Sequence, residues 1–241
     1  MTKRFIILSC YCLFILVSVQ CQPGMTGSIK GEGEVVKQEI SLEAIHGVNL
    51  GFSGDVVLTQ GSPQKIVMEG QQNILDNIKR EVKNGVWNIY FDRSTRDMKN
   101  VTVYVTLPNL DEVKLSGSGS IRSTNKFTGA DKMGIRVSGS GGITLDYMAN
   151  STDLALSGSG EINLSGESKD LSIAVSGSGD IAAANLKTDN CEIHISGSGD
   201  ATVNVNNSLE THISGSGDVR YSGSPSVDVR ISGSGDVSKI N

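Results

Sequence analysis

Cysteine, proline, aromatic side chains and positive charge are all scarce in this sequence. Three of its four cysteines, Cys10, Cys12 and Cys21, fall in the first 21 residues, which leaves Cys191 alone in the rest of the chain. One thiol cannot build a disulfide framework, and Cys191 occupies an apolar position of the repeat described below, as a small buried hydrophobe does. Four prolines and 5% aromatics stand against 29 glycines. Glycine-rich disorder normally brings more proline and fewer aliphatics, whereas Val, Ile and Leu recur throughout this chain, so the glycines punctuate a folded structure. The net charge of -5 and the lack of any Lys- or Arg-rich run exclude a general attraction to nucleic acid.

The one long apolar stretch runs from Phe5 to Val19, behind Lys3 and Arg4. It has the charge, position and length of an export signal, and falls short of the roughly 20 residues a spanning helix needs. Residues 1–21 are thus read as a signal peptide, with no transmembrane segment in the mature chain. Residues 22–33, "QPGMTGSIKGEG", are read as a flexible leader. Two processing routes remain open: simple cleavage leaving Gln22 first, or lipidation of Cys21 within "VSVQC", which would add a lipid anchor. Ser18 and Gln20 depart from the usual lipobox residues.

What is abundant is one motif. SGSG begins at Ser116, Ser138, Ser157, Ser176, Ser196, Ser214 and Ser232, at intervals of 18 to 22 residues. Each is preceded by Leu115, Val137, Leu156, Val175, Ile195, Ile213 or Ile231, and two residues earlier by Val113, Ile135, Leu154, Ile173, Ile193, Thr211 or Val229. Between these columns lie Lys114, Arg136, Ala155, Ala174, His194, His212 and Arg230, so the segment alternates with the period of a half-buried strand. The alternation resumes five residues after each motif serine, at Ile121, Ile143, Ile162, Ile181, Ala201, Val219 and Val237. Carried through the motif, this parity points both glycines inward and both serines outward.

A period of about 18–20 residues is too short for a strand-helix-strand unit. It fits an all-β solenoid, one coil per repeat, with equivalent positions about 4.8 Å apart as in neighbouring parallel strands. Residues 34–241 are read as a single such domain. Its part 116–241 is regular. Its part 34–115 is an irregular beginning in which "GFSGDVVLTQG" echoes the motif, "GVWNIYF" and "NVTVYVTLP" read as strands, and Ile74, Leu75 and Ile78 suggest a helical turn.

Directly after SGSG come Ser120, Gly142, Glu161, Asp180, Asp200, Asp218 and Asp236. Stacked at ~4.8 Å, neighbouring carboxylates repel by ~0.9 kcal/mol even in water, so the column needs a reason. In one reading each carboxylate accepts turn amides. In the other, the outward face holds a cation or contacts a ligand through Ser157, Ser159 and Glu161, Ser176, Ser178 and Asp180, Ser196, Ser198 and Asp200, Ser214, Ser216 and Asp218, and Ser232, Ser234 and Asp236. The nine-residue calcium-binding roll places its acid differently, so calcium-dependent folding is not expected. His194 and His212 stand one coil apart on the outward face, and a pair of imidazoles without a third ligand is a poor metal site. His46 stands alone, and all three read as solvated surface residues. No motif calls for a cofactor, and no pair of acids breaks the repeat as a general acid and base would.

The combination of "GFSGDVVLTQG", "VWNIYF", "VTVYVTLPNLDEVKLSGSGSI" and the SGSGD array resembles the putative auto-transporter adhesin, head GIN domain family, exported proteins of Gram-negative bacteria. The resemblance implies a right-handed, pectin-lyase-like parallel β-helix with a role in adhesion and a place in the periplasm, outer membrane or cell surface. It carries over no catalytic residue, and this chain reads GDI, GEI or GDV where the family name suggests GIN. The expectation is a non-enzymatic, exported adhesin or cell-envelope binding module whose Ser/Asp surface meets a glycan or a cell-surface protein. Solenoid ends also offer a route to oligomers. A carbohydrate-active β-helix enzyme, polysaccharide lyase or hydrolase, is the alternative, because pectin-lyase-like folds include polysaccharide enzymes that use clustered carboxylates, although fold likeness alone does not establish activity.

Overall fold

The computed structural model describes residues 27–240; the segment read as an export signal and Cys21 lie outside the described residues. Extended segments alternate with tight bends to build a parallel β-solenoid with two stacked walls. One wall contains Glu112–Leu115 and the segments just before each later SGSG, in the register Val113, Ile135, Leu154, Ile173, Ile193, Thr211, Val229. The other contains Ser120–Ser123 and the segments just after each SGSG, in the register Ile121, Ile143, Ile162, Ile181, Ala201, Val219, Val237. Every β-column read from the sequence is therefore a physical column, and most of its inward members, from Val113 to Val219, join one continuous apolar core.

The alternating segments before and after SGSG predict two short strands per repeat, and the structure joins most of them into one. After four of the motifs the chain stays extended across the second bend, giving single long strands Gly142–Leu156, Glu161–Val175, Asp180–Ile195 and Ala201–Gly215, whereas Ser120–Ser123 and Phe127–Val137, and Val219–Gly223 and Ser226–Gly233, remain separate. The bend is absorbed by register shifts such as those between Asn163 and Ser165 and between Ala183 and Lys187. Polar residues follow the inward course there: Thr152 and Ser168 are buried, hydrogen-bonded to each other at 2.9 Å, and Thr152 also meets the Tyr147 hydroxyl at 3.0 Å. A buried hydroxyl is tolerated where it finds such a partner.

In the irregular part, stack order departs from chain order. Gly47–Leu50 and Asp55–Gln60 sit between Glu112–Leu115 and Ser120–Ser123 on one side and Val86–Ile89 and Thr102–Leu107 on the other. The chain thus makes one coil, travels outward to lay a second coil on it, then returns to wind in the opposite direction along the axis. The outer coil is covered by antiparallel strands, Lys65–Gln71 against Thr102–Leu107 and Val35–Ile40 against Lys65–Gln71. The expected helical turn is present at Gln72–Leu75, and Asn84 and Gly85, both at positive φ, make the two-residue turn into Val86–Ile89. Trp87 is fully buried and donates to the Lys79 carbonyl at 3.0 Å. Part of the leader that composition marked as flexible is tied down: Ile29–Lys30 pair with Thr95–Arg96, and Asn73 donates to the Lys30 carbonyl at 2.7 Å.

The reason for the repeated glycines is coil-to-coil contact. A Cβ on Gly179 would run into the Gly160 carbonyl oxygen of the preceding coil, and one on Gly177 into that of Gly158, and the same holds up the stack. Most motif glycines keep ordinary φ values, so the requirement is mainly for closeness. The approach lets the ladder continue around the corner, with the Ser178 amide donating to Gly158 and the Asp180 amide to Gly160, each at 3.1 Å. Gly179→Ala should therefore cost about 2–3 kcal/mol, and Ser178→Ala beside it less than about 0.5 kcal/mol, by urea unfolding followed by circular dichroism.

Thr211 interrupts an otherwise aliphatic inward column, and its hydroxyl is fully buried with no hydrogen-bond partner among the described residues. Thr211→Val keeps the shape and removes the unsatisfied group. It should raise stability by about 1 kcal/mol and the melting temperature by about 2–4 °C.

Candidate functional site

The outward strip read from the sequence is assembled as expected in position. The motif serines from Ser157 to Ser234 lie on the surface, and Glu161, Asp180, Asp200, Asp218 and Asp236 stack in register directly beside them. Asp55 and Ser120 extend the same column, joined by a hydrogen bond from the serine hydroxyl. The carboxylates do not bond within their own turns. Asp180 Oδ1 accepts the Asp200 amide at 3.3 Å, Asp200 Oδ1 accepts the Asp218 amide at 2.9 Å, and Asp218 Oδ1 accepts the Asp236 amide at 3.0 Å. Asp180, Asp200 and Asp218 thereby each tie a coil to the next. Arg220 lies between the remaining oxygens of Asp200 and Asp218, at 3.6 and 3.7 Å, which offsets the repulsion along that part of the column. Glu161 turns aside to accept from Asn163 at 2.9 Å.

The two outward histidines are half-exposed and meet edge to face, with ring centroids 4.9 Å apart. They are more engaged than a solvated surface reading suggests. His194 Nε2 faces Glu192 at 2.8 Å, His212 Nε2 faces Glu210 at 3.2 Å, and Arg230 continues the column by facing Asp228 at 3.3 Å. Because residues two apart on a strand share a face, each of these three coils carries its own close pair, although His212 Nε2 is buried without a hydrogen-bond partner among the described residues. His194, His212 and Arg230, with Ser196, Ser214 and Ser232, line a shallow recess of 460 Å³. His46, read as standing alone, is paired through Nδ1 with Asp111. Among the described residues no group of three or more His, Cys, Asp or Glu is arranged to hold a metal ion. Cys191 is buried, and that burial, with Glu192 nearby, pushes its thiol up to about 12, the behaviour of a packing residue.

A third feature escaped the sequence reading. At the bend opposite SGSG, between the two halves of each long strand, a groove of 560 Å³ crosses several coils. Its lining includes Asp131, Met148, Asn150, Glu167, Lys169, Lys187, Asp189 and Asn206, with the buried Ser168 in its floor. Asn150 donates to Asp131 at 2.7 Å, which fixes both side chains. Met148 is 39% exposed, a large apolar side chain among polar ones. The signal for it was the one stretch of each repeat that does not repeat: "YMANS", "SGESK" and "NLKTDN" differ in residue type and length while the columns around them are held.

Since the aspartates spend one oxygen on the next coil, amides of the same shape preserve that acceptor. The quadruple variant Asp180→Asn, Asp200→Asn, Asp218→Asn, Asp236→Asn should fold and melt within a few degrees of the parent, and calcium titration calorimetry should show no binding by either. Tight calcium binding by the parent, with calcium-dependent melting, would overturn this account of the column.

Comparison with known proteins places this geometry. Among solved structures, a "putative adhesin" from Bacteroides fragilis NCTC 9343 is 23% identical, superposes with a TM-score of 0.82, and is covered over 100% of its length by 88% of this chain. A "putative lipid binding protein" from Parabacteroides distasonis ATCC 8503 is 24% identical with a TM-score of 0.75, the match covering 89% of this chain and 100% of that one. A "putative adhesin" from Parabacteroides merdae ATCC 43184 is 20% identical with a TM-score of 0.73, covering 89% and 99% respectively. These likenesses show a shared fold. No protein of curated function matches the chain. The family model "Putative auto-transporter adhesin, head GIN domain" matches residues 45–225, and the chain belongs to that family.

Proposed function

We propose that this protein is an exported, non-catalytic binding module of the cell envelope that holds a glycan along the groove crossing the non-repeating bend. The observation that carries the proposal is the lining itself. Carboxylates, amides and ammonium groups spaced along neighbouring coils suit the hydroxyls of successive sugar units, and Met148 supplies an apolar spot for a sugar-ring face. The spacing of the coils is imposed by strand pairing at ~4.8 Å, so the polar groups are held on a rigid frame. Membership of an adhesin family supports surface binding in general terms. Residues 1–21 support export, and among the described residues no helix is long and apolar enough to cross a membrane. The Ser/Asp strip at the other bend is the second candidate contact surface, through its exposed serines.

The alternative of a polysaccharide lyase or hydrolase keeps one observation in its favour, the presence of Asp131, Glu167 and Asp189 in the same groove. A glycan array run beside a lyase and hydrolase screen separates the two, and turnover that persists through repurification would end the binding-module reading. On the glycan found, Asn150→Ala with Lys187→Ala should weaken binding by about tenfold, the loss of one or two hydrogen bonds at about 1 kcal/mol each. Ser178→Ala with Asp180→Asn should leave it unchanged; the reverse result would move the site to the Ser/Asp strip. Vesicles of neutral and anionic lipid serve as a third arm, where capture of the protein without glycan binding would replace the glycan by a lipid surface.

A further inference from the structure

The two ends of the solenoid differ. At one end antiparallel strands cover the last coil, and the edge strand Val35–Ile40 has its charges engaged, Lys37 with Glu69 at 3.4 Å and Glu39 with Lys65 at 3.1 Å. At the other end Ser226–Gly233 pairs with Ala201–Gly215 on one side, and no strand among the described residues pairs with its outer side. Its inward residues Val227, Val229 and Ile231 are 38, 39 and 42% exposed, whereas the residues they stack on, Leu209, Thr211 and Ile213, are 1, 0 and 2% exposed. On the other wall the free end carries Lys239 in the column of Val203 and Tyr221, a charge where an aliphatic is expected, which is a common guard against strand addition. The edge Ser226–Ser232 has no such guard in its inward column.

The sequence of that edge, Ser-Val-Asp-Val-Arg-Ile-Ser, reads alike in both directions by residue class about Val229. Laid antiparallel on a copy of itself with the two-fold axis at Val229, it sets Asp228 opposite Arg230 of the copy, Val227 opposite Ile231, and Ser226 opposite Ser232. Both ion pairs and both apolar pairs are satisfied at once, and the three half-exposed aliphatics of each copy meet across one joint core. A parallel copy in the same register would set Asp on Asp and Arg on Arg. We propose that two copies of this protein join end to end through Ser226–Ser232, forming a closed two-fold dimer in which the two solenoids share one sheet. The closed symmetry also stops growth at this end, since each copy uses this free edge on the other.

Size-exclusion chromatography with light scattering on the full chain, over about 1–100 µM, should report twice the chain mass. Asp228→Arg alone or Arg230→Asp alone places like charges across the axis and should raise the dissociation constant by at least about tenfold. The double exchange, Asp228→Arg with Arg230→Asp, restores opposite charges and should restore the dimer. Circular dichroism melting checks that all three remain folded, and the rescue by the double exchange distinguishes lost association from lost structure. Register is read by oxidation: Val229→Cys sits on the axis, where facing Cα atoms about 4.5–5.5 Å apart are within disulfide reach, and should cross-link to itself, while Asp228→Cys should not. Cys191 is buried and does not interfere. A monomeric parent at about 100 µM, a dimer indifferent to the single reversals, or cross-linking through position 228 in place of 229 overturns the proposal; the first result would leave the edge to the strand of a different protein.

Discussion

Backbone pairing between successive coils, carried without a break around the SGSG corner, is the interaction on which the rest of the structure depends. A single coil has too little apolar surface to offset the ordering of its residues, and the backbone donors and acceptors of its strands point along the axis, half toward each neighbour. Stacking supplies both missing partners. At the corner the coils come so close that only hydrogen fits between a glycine Cα and the carbonyl below it, as at Gly177 over Gly158 and Gly179 over Gly160. The motif is repeated because the contact is repeated, and each corner forms half of the next one.

That constraint divides the surface into two kinds. The SGSG bend is under tight geometric demand, so its outward side chains are short and its acids serve the stack, Asp200 and Asp218 each accepting the amide of the next coil. The opposite bend is made by extended chain with irregular register, and its residues are free to differ from coil to coil. Chemical variety collects there, in Met148, Asn150, Lys187 and Asp189, for the same reason that loops of rigid scaffolds carry function. Among the described residues, one end is covered with antiparallel strands; at the other, Val227, Val229 and Ile231 lie partly in water along a strand edge with no pairing partner.

Much of this was legible in the residue order. Period-two alternation identified inward and outward positions from Val113 to Val237 because side-chain direction in a strand follows from parity alone. Fixed spacing made the stack and the acid column readable, since equal positions in equal coils must coincide. The fate of the acids was read in kind but not in detail: the acceptor is used, yet the donor is the amide one coil on, eighteen residues away for Asp200 and Asp218. Composition misjudged Ile29 and Lys30, whose partners Thr95 and Arg96 lie 66 residues downstream, beyond any local pattern.

By itself, then, the sequence determined the solenoid, its coil length, which residues face the core and where the glycines must stand, because each of these follows from local alternation and exact repetition. The tertiary structure alone decided the out-of-order coil at 86–107, the groove at the non-repeating bend and the bare edge at 226–233. Each is a matter of which distant strand lies beside which, or of no strand among the described residues lying there. Such neighbours are selected by competition among registers for the same backbone partners, and that competition is settled only when the whole stack has formed.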